Sequence, residues 1–353
     1  MTYVISGLLI IANFISSLLK GKGKLLSRML LVFMWILFWG SYNNADYLNY
    51  RTFYDYVSNY GAGFSTSDVG FVMLARFAAK FGLEYHHFLM ILSFVGIYLI
   101  TETAKKYSTK PQLVYMLYFI HPYLLDVVQI RNFFAMAIII YCFRYIEQEG
   151  IGNNIKFVVG VLIAFSIHAI SILFLPIVLL KKLEVRRLAL VVFIVLLIGI
   201  PLAYSNFFQI VASKIVGVQR VENYFINRAR FGFLIQFFIQ FFIFLMIHYS
   251  KVVIEKRNGA NKFVDLVYKT NLYLITLFPL YIINGTFERG FRMIMILNYI
   301  VFSKLYMTSN IREKGIILGV IFVFAFLLFS HYIFMPYRDT VLFPIFQNNL
   351  LFD

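Results

Sequence analysis

Apolar runs of helix length recur along the whole chain, separated by short polar stretches. They fall at about 3–19, 28–41, 85–104, 111–125, 129–148, 154–168, 170–181, 188–204, 232–250, 263–284, 290–308 and 315–334. Crossing a bilayer takes about 20 predominantly apolar residues as a helix. The pattern therefore predicts an all-α integral membrane protein, a polytopic helical bundle of about twelve transmembrane segments within a range of ten to fourteen. Residues 1–353 form one membrane domain, with no repeat and no soluble domain set apart. The first run, 3–19, lacks a small-residue cleavage pattern and is followed by a basic loop, so it reads as a retained span. The pair 154–168 and 170–181 is open between a hairpin, a broken helix and one long helix. Residues 66–83 are amphipathic and either lie on the surface or re-enter.

Composition agrees: 61% of the 353 residues are hydrophobic, 19% aromatic and 14% charged. A soluble domain carries about a quarter charged residues. The formal charge of +16 would suggest nucleic acid in a soluble protein. Here it follows mainly from lysines in loops, and no soluble basic domain exists to bind nucleic acid. Cys142 is the single cysteine, so no disulfide forms within the chain.

The basic residues set the orientation. Clusters at Lys20/Lys22/Lys24/Arg28, Lys105/Lys106/Lys110, Lys181/Lys182/Arg186/Arg187, Lys251/Lys256/Arg257/Lys262 and Lys304/Arg312/Lys314 fall on one side if all twelve segments cross. That side is expected to be cytoplasmic. It collects 15 Lys and 6 Arg, whereas the other side collects 9 Arg and 2 Lys. Outer arginines oppose orientation and need another reason. A planar guanidinium grips phosphate in two-pronged fashion and is less strongly hydrated than an ammonium, so a phosphate-bearing substrate at the outer face supplies one. Two long outer loops, 42–68 and 205–231, are rich in Tyr, Asn, Asp, Gly and Ser or in Asn, Gln and basic residues. Such loops suit sugar binding, since aromatic faces stack on pyranose rings and amides bond hydroxyls. Tyrosine is equally at home in a membrane-interface belt.

Four constellations could carry chemistry. Gln129 and Arg131 open an apolar run after Asp126, near a helix N-terminus where backbone N–H groups favour an anion, and together would seat a phosphate. Glu288, Arg289 and Arg292 follow, with the two arginines on one helix face. His168 stands alone in an apolar run, either hydrogen-bonded to a carbonyl or Ser166 or acting as a proton acceptor. Asp46, Tyr50, Arg51, Asp55 and Asp68 lie in the first outer loop, where Asp46 or Asp68 could serve as a general base. Arg228 and Arg230 are second choices for phosphate. There is no Asp-x-Asp metal motif and no glycine-rich nucleotide loop, so a soluble sugar-nucleotide donor is not expected.

The order Asp46-Tyr-x-x-Tyr50, Asp68-x-Gly70-Phe71, Gln129-Ile-Arg131 with Ala135, His168 with Ser171, and Glu288-Arg289 resembles the EpsG-like family of Wzy-type polysaccharide polymerases, over about residues 40–310. The chain departs from that pattern at Asp68, where Glu is usual, at Asn132 and at Ala169. The resemblance implies a membrane glycosyltransferase that joins oligosaccharide repeat units carried on undecaprenyl pyrophosphate, at the outer face of a bacterial plasma membrane. It implies O-antigen, capsule or exopolysaccharide as product, no cofactor and no metal. A chain-length regulator and a flippase are the partners it brings. On this reading Asp46, His168, Arg131 and Arg289 are catalytic. Gln129, Arg131, Arg228, Arg230, Glu288, Arg289, Arg292, Tyr50 and Asp68 bind pyrophosphate or glycan. A lipid-linked glycan ligase and a flippase or transporter are the rival classes.

Overall fold

A computed structural model describes residues 2–18, 23–60, 68–210 and 232–352. Every regular element among them is helical, and the one β-contact is an isolated bridge between Ser41 and Asn349. The chain runs through α1 (Thr2–Leu18), α2 (Lys24–Gly40), α3 (Tyr47–Tyr60), α4 (Val69–Lys80), α5 (Tyr85–Tyr107), α6 (Pro111–Ile120), α7 (Tyr123–Val128), α8 (Ile130–Ile146) and α9 (Ile151–Ile167). A 3-10 turn, Ala169–Phe174, leads to α10 (Ile177–Leu180) and α11 (Val185–Tyr204). Then come α12 (Gly232–Asn258), α13 (Lys262–Leu274), α14 (Phe278–Ile283), α15 (Glu288–Arg292), α16 (Met295–Thr308) and α17 (Ile311–Gln347).

Among the described residues, five stretches are long and apolar enough to cross a membrane unaided: Tyr85–Tyr107, Val185–Tyr204, Phe233–Asn258, Lys262–Ile283 and Ile311–Gln347. Thr2–Leu18, Pro111–Ile120, Ile151–Ile167 and Ala169–Leu180 are apolar but shorter. The membrane class expected from the sequence is present. The twelve apolar runs thus correspond to a mixture of long, short and broken helices. The open question at 154–181 resolves as a hairpin. Lys181, at the end of its second limb, donates to the Asn154 side chain at 2.8 Å, beside the start of the first.

The core is made by α6, α8 and α16, whose residues are apolar on nearly every face. Tyr115, Phe133, Phe143 and Phe302 lie fully inside it. A helix apolar all round is one that others surround. By contrast α11 and α12 bury one stripe and expose Phe193, Leu197, Phe238 and Phe241, as lipid-facing helices do. Buried polar pairs tie the middle of the bundle. Asn271 and Asn298 exchange two amide hydrogen bonds at 2.7 and 3.2 Å.

The lysine-rich loops gather at one end. Ser108 meets Ser303 at 2.6 Å, Tyr107 donates to Glu147 at 2.5 Å, and Lys269 donates to the Lys181 carbonyl at 3.1 Å. Arg257 grips Glu313 with two bonds of 2.7 and 2.8 Å. Lys262 bonds Glu149 at 3.1 Å and holds that exposed carboxyl below its ordinary range.

One expectation needs correction. The loop expected over 42–68 contains α3, a fourteen-residue helix that packs on α4 through Phe53 and Phe71, rings 5.6 Å apart. Its buried positions Tyr47, Tyr54 and Val57 recur at helical spacing. Beyond the apolar run at 315–334 the chain stays helical to Gln347. Its turns widen to π geometry over Ser330–Phe334 and Arg338–Leu342, each just before a Met-Pro or Phe-Pro pair. A wider turn eases the clash that a proline ring makes with the carbonyl four residues back. The tail then folds against α2: Leu350 N–H bonds the Gly40 carbonyl, and Ala45 N–H bonds that of Thr340.

Candidate functional site

The site lies at the end opposite the lysines, where α3, α4, α8, the α9 hairpin and α15 meet. Asp68 precedes the first residue of α4, the position from which an aspartate ordinarily caps a helix. Its side chain makes no cap here. It accepts instead from Arg131 at 2.5 Å, with the carboxylate only 8% exposed. Arg131, on the first turn of α8, also donates through Nε to the Tyr50 hydroxyl at 3.3 Å. Its guanidinium lies over the rings of Tyr50 and Phe71 at 5.4 and 5.9 Å. Aromatic faces attract a cation and fix its plane. The Asp46–Tyr50, Asp68–Phe71 and Gln129–Arg131 sequence motifs thus converge on one guanidinium.

The His168 motif joins through a glycine. A methyl group on Gly70 would stand 2.2 Å from the Ser166 hydroxyl oxygen, so only glycine lets α4 lie this close to the end of α9. Ser166 donates to the Ile163 carbonyl at 2.7 Å. His168 Nδ1 is buried with no hydrogen-bond partner among the described residues, as is Ser171 Oγ.

Arg289 and Arg292 arrive on α15, a five-residue helix. Gly290 between them packs on Leu173 and Ile170 of the turn that follows His168, at 2.9 and 3.4 Å from an added Cβ. The imidazole of His168 is within electrostatic reach of Arg131, Arg289 and Arg292 together. Arg292 is 2% exposed and bonds Glu288 at 2.9 Å. It also donates to the Gln129 side-chain oxygen. Gln129 and Arg131, expected to form a single phosphate seat, therefore turn to different partners. Arg289 is partly exposed and has no ion-pair partner among the described residues.

Asp46 sits one turn before Tyr50, whose N–H bonds its carbonyl at 3.1 Å, and lies within electrostatic reach of Tyr85. Arg228 and Arg230 lie outside the described residues. Among those described, no group of three or more His, Cys, Asp or Glu gathers in a metal-binding arrangement.

Beneath the arginines lies a buried polar layer that the sequence reading passed over. Asp126 is fully buried and accepts from the Tyr118 hydroxyl at 3.0 Å. His121 Nδ1 faces the Tyr299 hydroxyl at 3.4 Å, and the Tyr332 ring lies 5.4 Å from its imidazole. Tyr332 in turn bonds Gln236. A charge within an apolar run is a functional signal by default, and Asp126 carried that signal.

No curated protein and no solved structure matches the chain. The family model of the EpsG family matches residues 24–344, a span that includes every site residue described above. Members of that family are Wzy-like polysaccharide polymerases, membrane proteins of the glycosyltransferase type. The chain belongs to the EpsG family.

Proposed function

We propose that the protein polymerises oligosaccharide repeat units carried on undecaprenyl pyrophosphate, at the outer face of the plasma membrane and without a metal. The observation that carries this reading is that the Arg131–Asp68 pair, the Gly70–Ser166 approach and the packing of Gly290 on Leu173 and Ile170 bring the arginine-bearing elements together at the turn of His168, in an apolar bundle. Among the described residues Arg131 and Arg292 are paired within the protein, which leaves Arg289 as the guanidinium with charge free for an anion.

In the proposed reaction the growing glycan leaves its lipid pyrophosphate. The bond from the sugar C1 to the pyrophosphate oxygen breaks, and a bond forms from C1 to a hydroxyl of the incoming unit. The hydroxyl proton passes to a base, for which His168 and Asp46 are the two candidates, and the freed pyrophosphate keeps the electron pair. Arg289 grips that leaving group, with Arg131 beside it. Fixed cations aimed at developing charge stabilise a transition state without reorganising. Asp68, Tyr50, Glu288 and Gln129 hold the arginines in place. The tyrosines of α3 offer ring faces to the glycan, and Asp46 is the favoured base if the acceptor enters on that side.

The test is glycan length in a strain lacking the protein, complemented with wild type, Arg289→Ala, Arg131→Ala or His168→Ala at matched membrane levels. The reading expects single repeat units in the deletion strain, a full ladder with wild type and no ladder with the variants. A full ladder in the deletion strain overturns it.

A further inference from the structure

One side of α4 is an exposed apolar row. Val69, Met73, Phe77 and Phe81 recur every four residues and are 59% to 69% exposed. Single exposed apolar side chains are ordinary, whereas a contiguous row marks a surface that another apolar body covers. The twelve residues of α4 make a helix about 18 Å long, too short for a hydrocarbon layer of about 30 Å. Both of its ends stay at the site end of the bundle. Asp68, just before it, bonds Arg131, and the Leu83 carbonyl, just after it, accepts from Tyr54 of α3 at 2.5 Å. Its inner side packs through Phe71 on Phe88, in the first turn of α5, with the rings 5.7 Å apart. The helix therefore lies along the rim of the membrane and turns its apolar row to the hydrocarbon, as interfacial helices do.

That row meets a second one on α9. Gly70 packs against Ser166, and residues three or four apart share a helix face. Met73 thus lies on the Gly70 face of α4, and Ile163 and Val159 lie on the Ser166 face of α9. Ile163 is 50% and Val159 48% exposed, so the crossing of the two helices leaves an open apolar corner. Its apex is at Asp68 and Ser166, beside Arg131 and the turn of His168. From there α9 runs toward the lysine end, where Lys181 bonds Asn154 in its first turn. An amphiphile with its charged head at the arginines has the start of its chain at this apex. We infer that the corner between α4 and α9 holds the polyprenyl chain of the lipid-linked substrate. Continuity with the arginine site singles out that chain over bulk lipid, because the carbons next to the pyrophosphate begin where the corner begins. This inference rests on the polymerase reading.

The experiment uses the full-length protein in proteoliposomes of phosphatidylethanolamine and phosphatidylglycerol doped with undecaprenyl pyrophosphate. The photoreactive residue p-benzoylphenylalanine replaces Met73, Val159 or, as a control, the exposed Phe193 of α11, and the adducts are identified by mass. Undecaprenyl adducts are expected at Met73 and Val159, and phospholipid adducts alone at Phe193. Met73→Ser and Val159→Ser are then assayed for polymerisation of undecaprenyl-pyrophosphate-linked repeat units. The chain does not react, so its contacts hold ground state and transition state alike, and their loss should raise KM about threefold or more with kcat within about twofold. The rise is modest because lipid tails are as apolar as the corner, which leaves only packing to be lost. On repeat units carried by dimethylallyl pyrophosphate, whose chain is too short to reach Val159, Val159→Ser should leave KM unchanged.

Phospholipid adducts alone at Met73 and Val159 overturn the inference, as do undecaprenyl adducts equally abundant at Phe193 or a wild-type KM in both serine variants. Should the serine variants fail to fold, the adducts decide by themselves. Wild-type protein that makes no polymer overturns the polymerase reading instead, which separates the two failures.

Discussion

Gly70 lies so close to Ser166 that a methyl group on the glycine would stand 2.2 Å from the serine hydroxyl oxygen. This contact joins the helix that starts at Asp68 to the helix that ends at His168. Gly70→Ala is therefore expected to push α4 away from α9 and pull Asp68 off Arg131. Overpacking of this kind costs about 1–3 kcal/mol. Glycan ladders from cells expressing Gly70→Ala should be short or absent while the protein still reaches the membrane. Ser166→Gly should restore them in part, because it removes the clashing side chain and leaves only the backbone carbon, 3.0 Å from the added methyl. A full ladder from Gly70→Ala alone would show that the close approach is not needed.

The pair Asp68–Arg131 carries a second expectation. With its carboxylate 8% exposed, Asp68 is the main charge partner of a guanidinium that is itself only partly exposed. Removing one member of such a pair leaves an uncompensated charge, at a cost of about 3–5 kcal/mol in the buried limit. Asp68→Asn should lower polymer yield more than Asp68→Glu, which keeps the charge and restores the acid usual in the family. Equal yields from the two would mean that Asp68 acts as a hydrogen-bond acceptor alone. The comparison needs only ladder intensity at matched expression.

Much of this site was legible in the sequence because charges in apolar segments stand out. Arg131, Arg289, Arg292 and His168 each stand out that way, and the close approaches of Gly70 to Ser166 and of Gly290 to Leu173 bring their elements together. What was not legible is how they pair. Gln129 and Arg131 are two residues apart, yet side chains so spaced on a helix start point in different directions, and Gln129 reaches Arg292 instead. The polar, tyrosine-rich stretch 47–60 looked like a loop because its apolar share is low. Its buried Tyr47, Phe53, Tyr54 and Val57 nonetheless keep helical spacing. Pro336 and Pro344 hid the last part of α17, since a proline normally ends a helix. Asp126 was noted only as a neighbour, although its burial in an apolar run carried the same signal as the arginines.

The reciprocal amide pair of Asn271 and Asn298 predicts a coupled effect on stability. Both residues are fully buried, and each donates to the other. Asn298→Leu strands the Asn271 amide, and a buried group left unsatisfied costs about 1–3 kcal/mol. Each single leucine variant should melt at a lower temperature in detergent. The double variant Asn271→Leu/Asn298→Leu should recover part of the loss, because neither amide is then left alone. A double variant less stable than the sum of the singles would contradict this account.

The separation of lysine and arginine ends predicts an orientation that chemical labelling can read. The Arg257–Glu313, Lys262–Glu149 and Lys181–Asn154 contacts gather the lysine-rich loops at one end, and such loops stay on the cytoplasmic side. Cys142 is the single cysteine and is buried, so Cys142→Ala gives a background free of thiols. Glu149 at the lysine end and Arg51 at the other are both well exposed. In intact cells a membrane-impermeant maleimide should label Arg51→Cys and spare Glu149→Cys, and permeabilised cells should show both. The reverse pattern would turn the protein over. It would move the site to the cytoplasmic face, where lipid-linked units that have already been exported cannot reach it.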